Sequence, residues 1–194
     1  MGEENWGRLY LPWLSRSGVA QGAGTGDENG FGDLRLTFGR TLYRATALPG
    51  EPSFGLALQT RLPSASRASL GTGYFEHVLR LDTHASLAED TTVYMSFGRR
   101  LAPVPGSGGA GADYWTFYGD LSYAISPTWS GGVSIEAQDR VEDANRRVLE
   151  AGAFLDHTVN DSVSVGGFVL RGLTQESAGT TIGLRFLWRQ PVGQ

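Results

Sequence analysis

Apolar and polar side chains alternate with a period of two along almost the whole chain, and this confines it to β-structure. In 30–42, "GFGDLRLTFGRTL", Leu34, Leu36, Phe38 and Leu42 fall on one parity and Asp33, Arg35, Thr37 and Thr41 on the other. A strand separates such sets because its side chains alternate faces, whereas a helix would mix them. No segment of useful length has helical apolar spacing. The alternating pattern recurs in ten segments, at 6–15, 31–43, 53–62, 74–85, 91–101, 113–125, 129–140, 148–157, 162–171 and 179–189. Each is about the ten residues that a tilted strand needs to cross a bilayer. The first is the weakest, because Pro12 interrupts it and proline cannot donate to a ladder.

The connections fall into two kinds. "SRSGVAQGAGTGDENG", "PSASRASLGTG", "APVPGSGGAGA", "VEDANRR" and "GLTQESA" are long, or rich in glycine and charge. Between them lie the compact turns "ATALPGEP", "SLAED", "SPT" and "TVND", with Pro, Asn and Asp as turn formers. Loops sorted by length to opposite ends predict an all-β, antiparallel, up-and-down transmembrane β-barrel of about ten strands. The length of 194 residues suits a single domain over 1–194.

A period-two barrel has two possible orientations. In a soluble ligand-binding barrel the apolar face points inward; in a membrane barrel it meets lipid and the charges line the lumen. The apolar-parity aromatics Trp13, Phe54, Phe75, Phe97, Trp115, Trp129 and Trp188 cluster near segment ends, as interfacial girdles do. The opposite face holds many small residues, among them Gly39, Ala57, Ser96, Ser134 and Gly166, which suit a narrow lumen. Every cationic side chain is arginine, with none of the lysines that a water-facing surface usually carries. The charged face is therefore expected inside. The lumen is expected to be lined by Asp33, Arg35, Gln59, Arg61, Glu76, Arg80, Asp82, Tyr118, Asp120, Glu136 and Arg185, with Glu150 and Asp156 on the same parity. Arg40, Arg99 and Arg171, on the apolar parity, sit near segment ends where a long side chain reaches the interface.

Composition narrows the partners. A mild net charge of −4 gives no basic footprint for nucleic acid, and the absence of cysteine excludes a disulfide framework and a thiol nucleophile. The expected partners are the lipid bilayer and small-molecule solutes, with no cofactor and no metal. No apolar run is long enough for a membrane-spanning helix. The opening "MGEENW" lacks the pattern of a secretory signal, so export requires a leader that was removed or is not included here.

Several of these stretches resemble a known family. "GFGDLRLTFGRTL" is similar to a strand signature of the MetA-pathway phenol-degradation family of outer-membrane β-barrel proteins, and "LALQTRLPSA" followed by "LGTGYFEHVLRLDTHASL" resembles its Leu-Pro and Leu-Gly-Thr-Gly hairpin. "LSYAISPTWSGGVSIEAQ" and "TTIGLRFLW" resemble its later strands. The resemblance implies a channel in the bacterial outer membrane, associated with hydrophobic or aromatic compounds and without enzyme activity. The family carries a strand pair before the segment matching "RLYLPW", and its barrels end at an aromatic, whereas this chain continues with "RQPVGQ". Either ten strands close alone, or an N-terminal strand pair is missing.

Other motifs carry less. Asp82, His84 and Ser86 share a strand face, but i and i+2 side chains stand side by side, about 7 Å apart at Cα, and short residues there do not form a catalytic triad readily. "GSGGAG" at 106–111 satisfies a phosphate-loop spacing with no helix to present its dipole. "DENGFGD" offers carboxylates without a calcium-loop pattern. The leading expectation is a pore or uptake channel for small, hydrophobic or aromatic solutes. A structural or adhesion barrel with a closed lumen is the alternative, and a membrane lipid hydrolase the third.

Overall fold

A computed structural model describes residues 4–21, 24–101, 114–140, 147–174, 177 and 179–191. The strands are β1 (Glu4–Gln21), β2 (Gly24–Phe31), β3 (Leu34–Arg44), β4 (Ser53–Leu62), β5 (Glu76–Ala88) and β6 (Thr91–Arg100). They continue as β7 (Tyr114–Ala124), β8 (Trp129–Arg140), β9 (Val148–Asn160), β10 (Val163–Gly172) and β11 (Thr180–Pro191). Each pairs antiparallel with its sequence neighbour from β3 to β11, and β1 joins β3 on one side and β11 on the other. The sheet thus closes on itself as a ten-strand barrel, in which β2 and β3 occupy successive stretches of one course beside β1.

That interrupted course has a local cause. Tyr10 pairs with Arg35 and Trp13 with Phe31, so Leu11 and Pro12 face three residues, Gly32, Asp33 and Leu34. The carbonyl of Pro12 accepts from Gly32 N at 2.9 Å. In an antiparallel ladder the N–H and C=O of one residue face the same neighbour, so the donor that Pro12 lacks would also have pointed here. The extra residue opposite it forms a bulge. Pro12 therefore breaks the partner strand and not its own, and β1 runs beyond the expected 6–15 to Gln21. The stretch 15–30, expected as a long loop, instead extends the barrel wall as the β1–β2 hairpin. Its glycine-rich sequence hides the pairing, because it lacks the apolar–polar alternation by which the other strands are recognised.

Exposure fixes the orientation. Phe38 is 63% and Val133 58% exposed on the outside, while Glu76 and Asp82 are each 4% exposed inside. A water-soluble protein arranges these residues the other way, and lipid is the solvent that suits this one. Outward aromatics gather towards both rims: Trp13 meets Phe31 edge-on, with centroids 4.9 Å apart, and Phe97 stacks on Trp115 at 4.9 Å. At the opposite rim Tyr43 stacks on Phe54 at 6.5 Å, and Trp129 packs against His157 at 4.7 Å. The short turns share their end of the barrel with Glu4 and Pro191, which pair with each other.

The 63–75 connection folds against the barrel mouth at the long-loop end. It contains a 3-10 turn, Ala68–Leu70, whose Leu70 packs on the inward Leu14 with Ala65 beside them. Asp33 holds this loop: its carboxylate accepts from Ser64 N and Ala65 N, both at 3.1 Å, from Thr72 N at 2.7 Å and from Thr72 Oγ1 at 3.0 Å. Ser66 N donates to Phe31 O at 2.9 Å, and Ser69 to Glu28.

Candidate functional site

Strand parity sends one side chain in two into a narrow interior, where buried charge persists only when paired or wet. Cross-strand neighbours include the like-charged pairs Arg35–Arg61 and Glu136–Glu150, so relief must come from elsewhere. Arg35 finds it across the lumen: its Nη1 donates to Glu136 Oε1 at 2.8 Å. In the ring of ten, β3 and β8 lie five places apart whichever way one counts, so this ion pair spans a diameter.

A second crossbar starts from β1. The Arg8 guanidinium carbon lies 5.7 Å from the centre of Trp6 and 5.9 Å from that of Tyr10, on its own strand. It also lies 5.0 Å from Tyr94 and 6.0 Å from Tyr118, on the opposite wall. Such ring contacts stabilise a cation more when water is excluded. Trp6 can lie flat here because Gly39 faces it: a Cβ at Gly39 would collide with the indole. Arg185 donates to Asp156, through Nε at 2.6 Å and also through Nη2, and covers Phe154 at 3.9 Å.

At the level of Tyr10, Arg35, Tyr118, Glu136 and Phe168 the free space is ≈ 20 Å³, room for about one water. Towards the short-turn end the interior widens into a polar vestibule of ≈ 420 Å³, reached by Arg44, His84, Ser122 and Arg189.

The remaining expected residues divide by neighbourhood. Arg80 donates to Gln59, and through Nε to Ser96 Oγ at 2.6 Å, while Asp82 Oδ1 lies 3.9 Å from Arg80 Nε with both oxygens buried and outside any hydrogen bond. Arg61 meets Glu76 at 3.0 Å, and Arg100 and Tyr114 approach the same carboxylate at 3.6 and 3.3 Å. Asp120 stands on the vestibule wall. Asp33 does not pair with Arg35; it is taken up by the 63–75 loop.

Arg8, Tyr10, Tyr94 and Arg100 were not expected in this interior. Around Arg8 both parities are apolar, with Trp6, Tyr10 and Leu14 against Leu9, Leu11 and Trp13, so alternation alone leaves that strand's inner face undecided. Arg99 and Arg100 are consecutive, one outside over Trp115 at 5.0 Å and one inside over Tyr74 at 5.3 Å.

On the face shared by Asp82, His84 and Ser86, His84 hydrogen-bonds Ser53 Oγ of the neighbouring strand at 2.6 Å, and Ser53 is 1% exposed. Among the described residues no cluster could hold a metal ion. The stretch 106–111 lies outside the described residues.

No protein-family model matches the sequence, and no curated protein matches it. Solved structures do match the fold. The KdgM porin aligns with a TM-score of 0.54 at 10% identity, over 96% of this chain and 98% of that one. The KdgM porin in complex with disordered oligogalacturonate gives the same values. The COG4313 outer membrane channel from Pseudomonas putida F1 aligns with a TM-score of 0.56 at 12% identity, over 96% of this chain and 95% of that one. With its apolar exterior, charged interior and closed antiparallel course, the chain has the fold of a bacterial outer-membrane porin barrel.

Proposed function

We propose that the chain is a gated outer-membrane channel for small solutes, closed at rest by the Arg35–Glu136 and Arg8 crossbars. One observation carries this reading: a polar vestibule ends at a closure built from side chains, which can swing aside without breaking the barrel's backbone ladder. The finer reading, a member of the MetA-pathway phenol-degradation family passing hydrophobic or aromatic compounds, is supported by the hairpin motifs and by the aromatic rings at the constriction. Arg35, Tyr118, Asp120, Glu136 and Arg185 would meet a passing solute. Gln59, Arg61, Glu76, Arg80 and Asp82 would set the field along the wall, and Asp33 would act through the loop.

The test is single-channel recording in planar bilayers, comparing the parent with the Arg35→Gln/Glu136→Gln double variant. Neutralising both partners together strands no charge. The parent should show brief openings, and the variant openings that last longer. Silence from both, with the fold intact, would refute the channel. The ≈ 20 Å³ constriction would then favour a structural barrel with a closed lumen.

A further inference from the structure

The chain carries a net charge of −4, yet its vestibule has the opposite sign. Arg8, Arg44, Arg185 and Arg189 line it against Asp120 and Asp156, four positive charges to two negative, a surplus of two. Arg185 neutralises Asp156 directly. Arg44 and Arg189 form no ion pair with any described residue and stand exposed within the vestibule. Seven serine and threonine side chains complete the wall, with the indole of Trp6 beside Arg189 across the β1–β11 ladder and the ring of Phe154 at the constriction. A concave, cation-rich site with low-dielectric walls focuses its field and concentrates anions. Arginine forks match carboxylates in particular, because two parallel N–H donors meet two oxygens.

We infer that the vestibule is a binding site for small organic carboxylates, held by Arg44 and Arg189 with the body of the molecule directed towards Trp6. The volume of ≈ 420 Å³ falls in the range of about 300–1,000 Å³ typical of small-molecule sites. The inference rests on the channel reading for its meaning in transport, and on the vestibule's own charges for binding.

Isothermal titration calorimetry on the detergent-solubilised protein tests it, with benzoate, gluconate, benzyl alcohol and benzylammonium as probes. Benzoate and gluconate should bind, and benzyl alcohol and benzylammonium should not. Raising the salt to about 1 M, where the screening length falls to about 3 Å, should weaken binding severalfold. The Arg44→Gln/Arg189→Gln double variant should lose about tenfold or more in benzoate affinity, about 1.4 kcal/mol by the affinity relation. An Arg44→Lys/Arg189→Lys variant keeps the charge without the fork and should fall between the parent and the Gln variant, which separates lost charge from a damaged fold. Benzyl alcohol binding as tightly as benzoate, preference for benzylammonium, or an unchanged double Gln variant would each overturn the inference. Conductance without carboxylate binding would remove this inference and leave the channel. Carboxylate binding in a silent barrel would leave this inference and remove the channel.

Discussion

Asp33→Ala should release the 63–75 loop while leaving the barrel closed. The carboxylate accepts four hydrogen bonds, three of them from backbone N–H groups of the loop, at 2.7 to 3.1 Å. A hydrogen bond to a charged group contributes about 1.5–3 kcal/mol, but the orphaned donors at the barrel mouth can turn to water. Leu70 against Leu14 and Ser66 against Phe31 also remain as anchors. The net cost is therefore about 2–4 kcal/mol and not the sum of the four. Every 1.4 kcal/mol is a factor of ten, so the open fraction of the loop should rise by about one and a half to three powers of ten. Arg67 lies on the exposed part of that loop, so trypsin cleavage after Arg67 reads the opening directly. Asp33→Asn keeps one acceptor oxygen and should fall between parent and alanine variant. Cleavage of Asp33→Ala at the parental rate, in a barrel that still migrates as folded without heating, would refute the latch.

Other consequences follow from the inside-out packing. Leu36→Arg or Val165→Arg should cost about 2–4 kcal/mol in bilayer refolding. Ser164→Arg, which opens into the vestibule, should cost less; equal penalties in urea titrations would contradict the lipid-facing assignment. Thr37 is a poor inward control for the same test, because it is buried at 5% exposure and an arginine there would overpack the lumen. Glu76→Ala removes the buried carboxylate that pairs with Arg61 at 3.0 Å and should cost about 3–5 kcal/mol in detergent unfolding. Gly39→Ala should push Trp6 off the wall at a cost of about 1–3 kcal/mol, visible as a lower melting temperature and altered tryptophan fluorescence.

The architecture was legible because its signal is periodic and repeated. From Leu34 onward each strand carries an unambiguous apolar parity, and the structure keeps every one of those faces outward. The first strand was not legible in the same way. Pro12 reads locally as a break, yet the proline's missing donor is accommodated by an extra residue across the ladder, which only pairing reveals. The interior was partly legible for a related reason. Parity tells which side chains point inward, so Arg35, Glu136 and Arg185 could be named in advance. It does not tell which inward residues meet, since Arg35 and Glu136 are 101 positions apart and come together only when the ring closes. Asp33 shows the limit: an acidic residue on the inner parity, next but one to an arginine, is occupied by backbone N–H groups of a distant loop.

The pairing of β1 with β11 also dictates how such a molecule can assemble. Hairpins from β3 to β11 join neighbours in sequence, whereas the twelve residue pairs from Glu4↔Pro191 to Ser15↔Thr180 join the two ends of the described chain. Contacts of such sequence separation form slowly, because the loop entropy is lost before any ladder repays it. Until they form, both free edges present unpaired backbone groups, each costing several kcal/mol in hydrocarbon. Closure and insertion are thus coupled, and the seam is where assembly waits. Gly183 sits in that seam opposite Pro12, where a Cβ would come within 2.6 Å of both the Leu11 carbonyl and the Phe168 ring. A side chain at this one position would obstruct the final joining of the sheet while leaving most earlier hairpins free to form.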